Sequence, residues 1–76
     1  MKYEILSILE DLKPGEDFAG SDNFIDEGLL DSFDIISLIS IIEKEYDVEI
    51  DGLDIVADNF KDVESIVNLI KKSKTI

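Results

Sequence analysis

Apolar residues recur in this chain in three stretches with helical spacing, separated by segments where the pattern breaks. From Lys2 to Lys13, Ile5, Leu6, Ile8, Leu9 and Leu12 gather on one face of a helix, and Pro14-Gly15 then stops it. From Asp34 to Tyr46, Ile35, Ile36, Leu38, Ile39, Ile41, Ile42 and Tyr46 fill more than one stripe. Ser37, Ser40, Glu43, Lys44 and Glu45 keep part of that helix polar. A third long helix is predicted from Asp62 to about Lys72, carrying Val63, Ile66, Val67, Leu69 and Ile70. Asp62 stands where a helix cap is wanted, and Lys71 and Lys72 complement the dipole at the other end. Between the last two helices, Leu53, Ile55, Val56 and Phe60 lie in a short acidic stretch suited to one or two helical turns.

The segment from Pro14 to Asp31 has no periodicity, yet Phe18, Phe24, Ile25, Leu29 and Leu30 are placed to plug into a core. The loop is therefore predicted to be pinned. No strand alternation or internal repeat is evident. The expected architecture is all-α: a four-helix bundle of three long helices and one short third helix, with a long loop between helices one and two. At 76 residues it is expected to form a single domain spanning 1–76.

Composition narrows what such a bundle can do. Apolar residues make up 45% of the chain, enough for a core, so the net charge of −12 is not read as disorder. Seven Lys oppose nineteen Asp and Glu, and Arg is absent, so nucleic acid and anionic membranes are repelled. The same field speeds encounter with proteins bearing basic surfaces. With no Cys, no disulfide framework holds the fold. The N-terminal stretch lacks a signal-peptide pattern, and no apolar run is long enough to cross a bilayer, so a cytoplasmic monomer without stable membrane insertion is expected.

Intrinsic catalysis is poorly supported. The chain has neither His nor Cys, which removes the commonest general base, the best thiol nucleophile and most nitrogen or sulfur metal ligands. It is expected not to be an enzyme and to hold no metal. The sharpest local signal is Gly28-Leu29-Leu30-Asp31-Ser32-Phe33-Asp34, which ends the long loop just before the most apolar helix. Taken locally, Asp31 or Ser32 is an N-cap and Asp34 favours the positive end of the helix dipole. A Ser there is also exposed, backed by a rigid helix and flanked by carboxylates.

The run from Phe24 to Leu38, with Asp31-Ser32 followed by the large apolar Phe33, resembles the loop and second helix of the acyl carrier and peptidyl carrier superfamily. The resemblance continues through Glu43-Lys44-Glu45-Tyr46, Val48 and Ile50, and through Phe60, Val63 and Ile66. It implies that Ser32 receives a 4'-phosphopantetheine arm from coenzyme A, with Asp31 as the flanking motif residue. It implies too that the arm's thiol carries acyl or aminoacyl groups as thioesters. The implied partners are a phosphopantetheinyl transferase, an acyl- or aminoacyl-activating ligase, and downstream acyl-transfer enzymes with basic docking surfaces. Helix two is the family's recognition element, and the matching positions here are Phe33, Asp34, Ile36, Ser37, Ser40 and Glu43.

Two departures from fatty-acid-synthesis carriers stand out. Ser37 and Ser40 replace an acidic and a larger apolar residue, and the stretch from Ile50 to Val63 is slightly longer. The phrase Glu27-Gly28-Leu29-Leu30-Asp31-Ser32, with aromatic Phe60 before the last helix, is closer to freestanding D-alanyl, nonribosomal-peptide or polyketide carriers. Two alternatives differ in class. One is an acidic helical interaction domain without a prosthetic group. The other is a calcium loop of EF-hand type from Asp47 to Asp58, with Gly52 at the sixth place. Its third and twelfth ligands are poor, Asp54 takes an apolar position, and no second loop pairs with it.

Overall fold

The computed structural model describes residues 1–76. Three α-helices, α1 (Lys2–Leu12), α2 (Ser32–Tyr46) and α3 (Val63–Lys72), pack around one core. The expected helical character and the long first connection are present, but the fourth helix is not. The stretch after α2 instead holds two 3-10 turns, Gly52–Asp54 and Ala57–Asn59. Side chains there satisfy nearby backbone groups and so compete with helix formation. Asp51 accepts from the Leu53 N–H at 2.9 Å, and Asn59 donates to the Asp54 carbonyl at 2.7 Å.

A second correction concerns strands. Val48–Glu49 (β1) and Lys74–Thr75 (β2) form a short antiparallel pair, Val48 opposite Thr75 and Glu49 opposite Lys74. The Ile76 N–H extends the contact by donating to the Asp47 carbonyl at 2.9 Å. Two-residue strands leave no alternation to detect in a sequence.

The core comprises fourteen buried apolar residues drawn from every long segment. Ile5 and Leu9 come from α1, Leu38 and Ile42 from α2, and Ile66, Val67, Leu69 and Ile70 from α3. The long loop contributes Phe18, Phe24 and Leu30, with Ile25 and Leu29 packed against them, so all five expected anchors engage the core. Phe18 and Phe24 meet edge to face with ring centroids 5.1 Å apart. The backbone is tied as well: the Phe24 N–H donates to the Lys61 carbonyl at 2.6 Å, and the Phe24 carbonyl accepts from Leu29 and Leu30. Gly28 completes this turn at φ 76°, a left-handed conformation that a side chain would disfavour.

Candidate functional site

Helix α2 begins with a reciprocal cap. The Asp31 carboxylate accepts from the Asp34 N–H at 2.9 Å, and the Asp34 carboxylate accepts from the Asp31 N–H at 3.1 Å. Of the two residues expected to serve as cap, Asp31 does so, and Ser32 becomes the first residue of the helix. This starts the helix two residues ahead of the expected Asp34. Ser32 is exposed, and its hydroxyl is not needed for capping.

Asp34 departs from its expected place on a partner-facing surface. It is 8% exposed, and its carboxylate also accepts from the Lys13 ammonium at 3.1 Å. Burial alone would raise its pKa. The Asp31 backbone N–H and Lys13 outweigh that and hold the Asp34 carboxyl below its ordinary value. The hydrogen bond and charge of Asp34 in turn raise the Lys13 pKa. A carboxylate inside a cap and an ion pair is structural, and helix periodicity alone could not reveal that Lys13, 21 residues away, reaches it.

The remaining expected face divides. Phe33 is 75% exposed and Ile36 is 64% exposed, and with exposed Ser40 they form a strip along α2 that starts beside Ser32. Ser37 is half-buried. Glu43 is half-buried too, and its carboxylate accepts from the Ile50 N–H at 3.0 Å, holding the chain after α2 against the helix. Leu53, Ile55 and Val56 also lie exposed on the 3-10 segment, which the sequence had placed in a short helix.

The stretch proposed for calcium follows a different path. Asp47 caps α2 in a left-handed conformation at φ 52°, Glu49 lies in β1, and Asp54 meets Lys72 at 3.3 Å. The chain runs as a strand and two 3-10 turns, not as a loop wrapped round one cation, and no three Asp or Glu side chains gather into a metal-binding group. No helix is long and apolar enough to cross a membrane.

An exposed hydroxyl at the first turn of a fifteen-residue helix suits a phosphate ester. The positive end of the helix favours the ester's charge, while Asp31 and Lys13 hold the turn in place. Comparison with known families agrees with this chemistry: residues 4–70 match the family described as phosphopantetheine attachment site. No curated protein and no solved structure matches the chain. Domains of this family are non-catalytic carriers, modified by phosphopantetheinyl transferases and used by biosynthetic enzymes. The chain belongs to the phosphopantetheine attachment family, as a carrier whose working group is a covalently attached 4'-phosphopantetheine and not a catalytic centre of its own.

Proposed function

We propose that Ser32 bears the 4'-phosphopantetheine arm and that the chain holds acyl or aminoacyl groups on it as thioesters, delivering them between enzymes. The observation that supports this most directly is the division of roles at the start of α2. Asp31 caps the helix, and Ser32, one residue later, presents a free and exposed hydroxyl on a braced turn. Thioester chemistry needs a thiol, which this Cys-free chain lacks and the arm supplies. The protein's own residues provide address and tether. Ser32 forms the ester link, α2 gives it a rigid base, and Phe33, Ile36 and Ser40, with half-buried Ser37 beside them, offer the strip on which partners dock.

Ser37, Ser40 and the longer connection from Ile50 to Val63 favour an aminoacyl or specialised acyl cargo, as on D-alanyl, nonribosomal-peptide or polyketide carriers. The proposed partners are a phosphopantetheinyl transferase, a loading ligase and acyl-transfer enzymes with basic docking surfaces, met in the cytoplasm by a carrier monomer. The net charge of −12 steers such encounters by raising their on-rate.

The test is intact-protein mass after incubation with coenzyme A, magnesium and a broad-specificity phosphopantetheinyl transferase, with Ser32→Ala in parallel. The wild type gains one phosphopantetheine group and the variant gains none. A folded wild type left unmodified by an active transferase would favour the interaction-domain alternative.

A further inference from the structure

The residue before Ser32 is held by a carboxylate that is itself held from the end of another helix. Asp34 accepts from the Asp31 N–H, donates its own N–H to Asp31, and receives the Lys13 ammonium at 3.1 Å. Lys13 is the C-cap of α1, where its N–H donates to the Leu9 carbonyl at 2.9 Å. Leu9, one turn back, is fully buried. The ion pair therefore joins the fixed end of α1 to the cap beneath Ser32, closing the long loop at its base. Helix first turns fray when only local bonds hold them. This one is tied across the bundle.

We propose that Lys13 is a positioning residue for modification of Ser32, acting through Asp34 to hold the first turn of α2 in the orientation that presents the hydroxyl. The inference rests on the assignment of Ser32 above. It separates from a simple charge effect, because only positioning lowers kcat. Removing a positive charge makes an already acidic carrier more attractive to a basic transferase, so a purely electrostatic Lys13 would lower KM when replaced by Met. A positioning Lys13 lowers kcat instead, because misplacing a reacting oxygen slows the chemical step.

The experiment measures transferase kcat and KM for the wild-type chain, Lys13→Met, Lys13→Arg, Asp34→Asn and the Lys13→Met/Asp34→Asn double variant. Amide hydrogen exchange is followed at Ser32, Phe33 and the core of α3. The expected result is a kcat about tenfold lower for Lys13→Met, with KM equal to or below wild type. Exchange speeds up at Ser32 and Phe33, while the α3 core amides remain protected. Lys13→Arg restores most of the rate. The double variant is no slower than the slower single variant, since both changes break one connection. Unchanged kcat in Lys13→Met, or α3 exchange rising in step with Ser32, would overturn the proposal. If the wild type itself gains no group at Ser32, the assignment of Ser32 fails first and the role of Lys13 falls with it.

Discussion

Asp34 is the only charged residue in the buried set, and it keeps its charge because donors meet it from two directions. Its folded pKa lies below the ordinary 3.8. The stabilisation it supplies is thus fully present above that value and is lost as pH falls through the lowered one. Asp62 shifts the same way, chiefly through its hydrogen bonds with Ser65. Acid also relieves repulsion among the other carboxylates, so the informative quantity is a difference between proteins. At neutral pH, Asp34→Asn is expected to be less stable than wild type by about 2 kcal/mol. That gap closes as pH drops below 3.8, as urea unfolding followed by circular dichroism across a pH series would measure. A gap that stays constant with pH would mean that the carboxylate's charge contributes nothing. At the same scale, Ser32 was legible as a motif, whereas Lys13 was not. Its partner is set by where α1 ends in space, not by any sequence spacing.

The three helices owe their existence to different balances. Helix α3 is strongly amphipathic, burying Ile66, Val67, Leu69 and Ile70 while Glu64, Asn68, Lys71 and Lys72 face water. Its start depends on Asp62, which accepts from the Ser65 N–H at 2.7 Å. Asp62→Ala is expected to cost about 1 kcal/mol, read as a lower urea midpoint with an unchanged slope. Helix α2 is apolar on more than one stripe because it serves two faces. Leu38 and Ile42 fill the core, while Phe33 and Ile36 remain in water beside Ser32. Periodicity found these helices because ten or more residues at 3.6-residue spacing accumulate signal. It missed β1 and β2, and it made one helix of two 3-10 turns, because pieces of two or three residues carry no period.

On the scale of the whole molecule, a 76-residue chain without Cys has little stability in reserve, and the long loop supplies a share of the core that helices alone would not. Phe24 is 1% exposed, packs on Phe18, and anchors the turn leading to Ser32 through bonds at both its N–H and its carbonyl. Phe24→Ala is expected to remove about 3–5 kcal/mol, a large part of what so small a domain possesses. Equilibrium urea unfolding would register the loss, and a change below about 1 kcal/mol would mean that the loop is a passenger on the bundle. The charge is arranged at this scale too. Only three ion pairs form, so most carboxylates stay unpaired and their field is available to partners.

The helical class, the three long helices, the cap at Asp62, the choice of Asp31 or Ser32 as the cap of α2, the five loop anchors and the Asp31-Ser32 motif were all determined by the sequence. Each depends on residue type and near-neighbour spacing, which a linear chain displays directly. Tertiary structure alone decided that Asp34 turns inward to Lys13, that Glu43 holds Ile50, and that the chain after α2 becomes a strand paired with the C-terminal residues. These outcomes require groups separated in sequence to meet at partly buried sites or to complete a shared ladder. Their partners exist only once the helices have packed.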